Sequence, residues 1–175
     1  MSTNVLSLFK KITTFIFDMD GVLTDGSVLI LENGLLARKM SIKDGYALQL
    51  AVKNGYRIVV MSGAQSTPVT DRLNKLGITD VFMSIADKKM FVEKFMADHK
   101  LNADEILFMG DDIPDLEAMS LVGLSACPAD AVAEIKTIVK YISPIAGGNG
   151  CVRDVIEQVL KLNGHWHHQK DVASK

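Results

Sequence analysis

The sequence predicts an α/β protein built on an open, doubly wound parallel sheet, and three observations carry that expectation. Short apolar runs lack the polar alternation of a half-exposed strand, so both of their faces should be covered. Longer segments of helical period lie between these runs. Glycine and proline fall at the boundaries between the two kinds of segment. Repeated strand, helix, strand units of this length form a parallel sheet with helices on both faces.

In chain order, strands are expected at 13–17, 57–61, 81–83, 106–109, 123–125 and 141–142, and helices at 44–53, 68–76, 88–99 and 152–162. Pro68 suits a first helical turn, while Gly55 and Gly77 mark helix ends. Residues 27–42 are too few for another helix-and-strand unit. Their apolar runs flank Asn33-Gly34, the signal of a β-hairpin with a type I′ turn. The chain thus reads as one domain over 1–164, with the hairpin inserted at 27–42 and no large cap domain, followed by a polar tail over 165–175.

Composition narrows the function classes. Of 175 residues, 48% are hydrophobic and 23% charged, which excludes a disordered chain or a fibre. Lys and Arg number 19 against 21 Asp and Glu, for a formal net charge of −2, and no basic block offers a footprint for nucleic acid. No apolar run reaches the roughly 20 residues of a membrane span, and no signal-peptide core precedes Lys10 and Lys11. Cys127 and Cys151 lack metal-ligand spacing and read as reduced, buried thiols. The expectation is a soluble, cytoplasmic protein without a nucleic-acid or membrane partner.

The strongest chemical signal is Phe15-Ile16-Phe17-Asp18-Met19-Asp20-Gly21, a buried strand that ends in two carboxylates. Ligands of open parallel sheets bind at the carboxyl ends of strands, where Asp18 and Asp20 fall. Two carboxylates at such a site repel each other unless a cation or proton is shared, and a hard divalent ion such as Mg²⁺ meets that need. The next strand runs into Ser62-Gly63, Lys88 opens a helix, and Gly110-Asp111-Asp112-Ile113-Pro114-Asp115 follows a third strand. Each piece alone reads equally as a turn, a solvated lysine or a helix cap. Four of them converging on one rim do not.

This ordered set resembles the haloacid dehalogenase superfamily of phosphohydrolases. The resemblance implies that Asp18 is the nucleophile, forming an aspartyl-phosphate, and that Asp20 is the acid and base. It further implies that Asp18, Asp111 and the Asp20 carbonyl bind Mg²⁺, and that Ser62, Gly63 and Lys88 hold the phosphoryl group. Asp112 and Asp115 are left as supporting residues that either meet the metal or orient Lys88. A closer resemblance, carried by residues 18–26, 41–46, 110–112 and 147–154, is to the 3-deoxy-D-manno-octulosonate 8-phosphate phosphatases of lipopolysaccharide precursor synthesis. It implies a homotetramer assembled through the hairpin, with neighbouring subunits in place of a cap, and a sugar-acid phosphate substrate contacted by Arg72.

Ala64 stands where that family carries arginine and its relatives acting on nine-carbon acids carry glutamate. A phosphatase of acylneuraminate or deaminoneuraminate 9-phosphate, and a broad sugar phosphatase, therefore stay open as alternatives. From a different class, so do a receiver-like phosphoaspartate domain and a non-catalytic assembly module.

Overall fold

The computed structural model describes residues 4–169 and 172. Its centre is a six-stranded parallel sheet made of β1 (Thr14–Asp18), β4 (Arg57–Met61), β5 (Asp80–Phe82), β6 (Ile106–Met109), β7 (Leu124–Cys127) and β8 (Tyr141–Ile142). The spatial order is β5-β4-β1-β6-β7-β8. From β1 the chain builds outward on one side to β5 and then returns to build the other side from β6. The crevice at the carboxyl end of β1 is therefore the topological switch point, the ligand-binding position of such sheets.

Alternate residues of the strands feed two cores. Phe15, Phe17, Ile58, Val60, Leu107 and Met109 face one layer, with α1 (Val5–Phe9), α2 (Ile42–Lys53), α3 (Thr67–Lys75) and α7 (Cys151–Leu162). Ile16, Val59, Met61, Ile106 and Phe108 face the other, with α4 (Lys88–His99), α5 (Leu116–Met119) and α6 (Ala133–Ile138). Burial on both faces explains why the strand sequences show no alternation.

All six expected strands and all four expected helices form, with no end displaced by more than two residues. The additional α1, α5 and α6 span only four to six residues, too few to show a helical period. Among the described residues no helix is long and apolar enough to cross a membrane. Both cysteines are free and buried.

The inserted segment forms an antiparallel hairpin, β2 (Leu29–Ile30) with β3 (Leu36–Ala37). Its turn is not type I′, because Gly34 takes a positive φ of 80° and Asn33 does not. Gly34 N–H donates to Leu31 O at 2.9 Å and Leu31 N–H to Leu35 O at 2.9 Å, the pattern of a type I turn closed by a bulge at a left-handed glycine. Asn33 serves through its side chain, with Oδ1 accepting from Leu35 N–H at 3.1 Å. The dipeptide thus announced a hairpin correctly, and the longer loop selected another turn.

Several contacts tie the C-terminal part to the first half of the chain. Buried Asp44, in the first turn of α2, accepts from Arg153 N–H at the start of α7 (2.7 Å). Beyond α7, the His165 ring meets the Tyr56 hydroxyl at 2.9 Å, the Trp166 ring packs edge-on to Tyr46 with the Arg153 guanidinium over both, and Val172 is buried in the core.

Candidate active site

A cavity of about 720 Å³ opens at the carboxyl ends of β1, β4 and β6 and is lined by Asp18, Asp20, Ser62, Gly63, Lys88, Asp111, Asp112 and Asp115, among others. The structure thereby brings together every sequence-derived site residue except Arg72. Arg72 lies on α3 beside a separate apolar cavity under the hairpin. Ala64 does line the main cavity.

Asp18 closes β1, and residues 19–23 leave it in a wide turn in which Thr24 N–H donates to Met19 O at 3.0 Å. Gly21 has φ 92° there, and a Cβ at this position would run into the Asp111 carboxylate. Glycine is therefore what lets the first acidic turn meet the second. The Gly147 backbone presses on the Gly21 carbonyl in the same way, while Gly148 N–H donates to Val22 O at 2.9 Å.

Lys88 is the first residue of α4, whose N-cap Asp87 accepts from Met90 N–H at 2.9 Å. Its side chain is almost wholly buried, and Nζ donates to Asp18 Oδ1 at 2.7 Å and to Asp115 Oδ1 at 2.5 Å. Asp115 Oδ2 accepts from Asp111 N–H (3.1 Å) and Asp112 N–H (3.5 Å), so both of its oxygens are engaged. Exposed Asp112 instead caps its turn, accepting from Ile113 N–H at 2.8 Å. Ser62 is buried, and its Oγ accepts from Ala64 N–H at 3.0 Å.

Carboxylate oxygens of Asp18, Asp111 and Asp115 all lie within 4.8 Å of one another. Asp111 Oδ1 is buried without a hydrogen-bond partner. Three clustered carboxylates with Lys88 as their close cation, one of them offering an unsatisfied oxygen, fit a hard divalent ion with oxygen ligands.

Similarity to known proteins agrees with this geometry. The family model of the haloacid dehalogenase-like hydrolases matches residues 74–153. The 3-deoxy-D-manno-octulosonate 8-phosphate phosphatase of Salmonella typhi is 30% identical over 94% of this chain and 87% of its own. The chain belongs to this phosphatase family. The crystal structure of the family's Yersinia pestis enzyme superposes with a TM-score of 0.89 at 28% identity, covering 92% of this chain and 87% of the other. A Moraxella catarrhalis phosphatase of the same name, in complex with a magnesium ion, a phosphate ion and a KDO molecule, gives 0.88 at 27% identity and covers 93% of each chain.

The electrostatics of this phosphatase follow from burial. Burial pushes Asp18 up to about 6, with repulsion from Asp115 adding to it and Lys88 opposing it. Burial, then repulsion from Asp18, Asp115 and Asp112, pushes Asp111 up to about 8. Burial also works against the Lys88 charge, yet Asp18 and Asp115 outweigh it and hold the ammonium above its usual range. The site is short of positive charge, as a pocket that takes a cation should be.

A residue that touches Asp20 from outside the cavity, beside the apolar pocket under the hairpin, escaped the sequence reading. Arg38, the residue after β3, donates from Nε to Asp20 Oδ1 at 2.7 Å and from Nη2 to Asp20 Oδ2 at 3.3 Å. In sequence Arg38 stands beside Lys39 after the apolar stretch Leu35-Leu36-Ala37 and reads as an ordinary solvated cation, so no local signal singled it out.

Proposed function

We propose that the protein is a Mg²⁺-dependent phosphomonoesterase that releases phosphate from 3-deoxy-D-manno-octulosonate 8-phosphate. The observation that carries the reading is the buried Asp18–Lys88–Asp115 array beside Asp20 and Asp111, in a chain of this family. Asp18 attacks phosphorus, the bond to the leaving oxygen breaks, and Asp20 supplies that oxygen's proton. Asp20 then takes a proton from the water whose oxygen attacks the aspartyl-phosphate, freeing phosphate and Asp18.

Lys88 and Ser62, with Gly63, hold the phosphoryl oxygens, where positioning and charge neutralisation do most of the catalysis. Asp115 fixes Lys88, since its oxygens are already committed. Asp18, Asp111 and the Asp20 carbonyl would hold Mg²⁺, which when bound neutralises the carboxylates and polarises the phosphoryl group. The magnesium and phosphate complex of the Moraxella catarrhalis relative supports this choice.

In this reading residues 1–164 form the catalytic unit, working in the cytoplasm as a homotetramer joined through the hairpin. Leu29, Ile30, Leu35 and Leu36 are 64%, 74%, 62% and 52% exposed, more apolar surface than a two-stranded ribbon keeps in water. Arg72 belongs to that hairpin face, so its contact with substrate would need a neighbouring subunit.

The test is phosphate release with Mg²⁺ from the octulosonate ester, the two nine-carbon 9-phosphates and simple hexose phosphates. A preference of about 100-fold for the octulosonate ester, worth about 2.7 kcal/mol of transition-state discrimination, is the expected result. A flat profile would make Ala64 the mark of a broad sugar phosphatase.

A further inference from the structure

The general acid and base of this site is gripped by the hairpin. The Arg38 side chain is only 6% exposed and its fork meets both oxygens of Asp20, 18 residues earlier in the chain. Thr24 Oγ1 donates to the same Oδ1 at 3.3 Å, so Oδ1 carries two donors, one of them the short Arg38 Nε bond, and Oδ2 only the 3.3 Å bond from Nη2. The base of the hairpin is fixed to the turn after β1 by the Thr24–Met40 bridge and by Lys39 with Asp25 at 3.8 Å. A guanidinium fork sets the plane of the carboxylate it binds, which a point charge does not.

We propose that Arg38 is a positioning residue for the phosphatase reaction: it anchors Asp20 through Oδ1 and presents Oδ2 as the oxygen that exchanges the proton. The hairpin whose apolar face meets its neighbours thereby also aims the acid and base. The inference rests on the acid–base reading of Asp20, and it adds a residue and a working oxygen to that reading. In the first half-reaction the Oδ2 proton goes to the leaving oxygen as the phosphorus–oxygen bond breaks. In the second, Oδ2 takes a proton from water as the water oxygen bonds to phosphorus and the Asp18–phosphorus bond breaks.

The experiment is a double-mutant cycle on kcat with Arg38→Ala and Asp20→Asn, read on any phosphomonoester that the wild-type enzyme hydrolyses. Sedimentation and a thermal melt of each variant check that assembly and fold are unchanged. Arg38→Ala should lower kcat by about 10²-fold with little change in KM, the size of a general acid–base contribution. Arg38→Lys, keeping the charge but losing the fork, should recover part of that loss. In the Asp20→Asn background Arg38→Ala should cost nothing further, because its only route to the chemistry is through Asp20.

A loss confined to KM would overturn the proposal by making Arg38 a substrate ligand. So would a loss that persists in full on top of Asp20→Asn. A slow Asp20→Asn enzyme beside a normal Arg38→Ala enzyme would overturn the role of Arg38 alone, whereas normal turnover by Asp20→Asn would overturn the acid–base reading and Arg38 with it.

Discussion

Asp44→Asn is the perturbation whose consequence can be worked through most fully. The Asp44 carboxyl is 2% exposed and joins α2 to the start of α7, accepting from Arg153 N–H through Oδ1, while Oδ2 has no hydrogen-bond partner. Burial pushes it from 3.8 up to about 6, against the pull of the Arg153 and Gly150 amides and the Arg153 charge. The folded state therefore binds this proton more tightly than the unfolded chain. Stability from this group is fullest below pH 3.8, falls as pH rises towards about 6, and is level above that.

The gap between 3.8 and about 6 corresponds to about 3 kcal/mol, of which about 2 kcal/mol falls between about pH 4.5 and about pH 7.5. An asparagine keeps an acceptor for Arg153 and carries no charge to bury. Urea denaturation of both proteins across this range should thus show Asp44→Asn gaining about 2 kcal/mol on the wild type as pH rises. Other titrating groups cancel in the difference. A difference that stays flat, or that moves in favour of the wild type with rising pH, would refute the argument.

Other expectations concern the site and the hairpin. Asp18→Asn should lose turnover while the melting temperature and the assembly hold, and near-normal activity in a Mg²⁺-saturated assay would exclude Asp18 as nucleophile. Mg²⁺ should stabilise the wild type in a thermal melt, by about 2.7 kcal/mol at a hundred times its Kd, and do so much less in Asp111→Ala. Gly147→Ala puts a methyl group into the Gly21 carbonyl, so it should cost about 1–3 kcal/mol and reduce kcat by shifting the turn that bears Asp20. Ile30→Lys, at a position 74% exposed in the single chain, should split the assembly in sedimentation, and an unchanged particle would place the subunit contact elsewhere.

Much of the architecture was legible because its signals are local. Two-sided burial leaves apolar runs such as Phe15-Ile16-Phe17 and Ile58-Val59-Val60, and a carboxylate directly after such a run has to stand at the rim of the sheet. Elements with no local period to read were missed, notably α5 and α6. The Asn33-Gly34 signal located a hairpin, but the turn type depended on the loop length and on which residue took the left-handed conformation. Arg72 was carried to the site on resemblance, and α3 places it under the hairpin instead.

The sequence by itself determined the sheet, the order of its chemical motifs and their place at the strand ends, because periodicity and turn chemistry act over a few residues. Only the tertiary structure decided how the charges share their work. Lys88 reaches Asp18 across 70 residues and Asp115 across 27, Asp115 rather than Asp112 holds it, and Arg38 grips Asp20. Those pairings depend on the rotation of α4, on the placing of β6 beside β1 and on the fold-back of the hairpin. Packing energies summed over the whole molecule set these features, and no short stretch of sequence carries them.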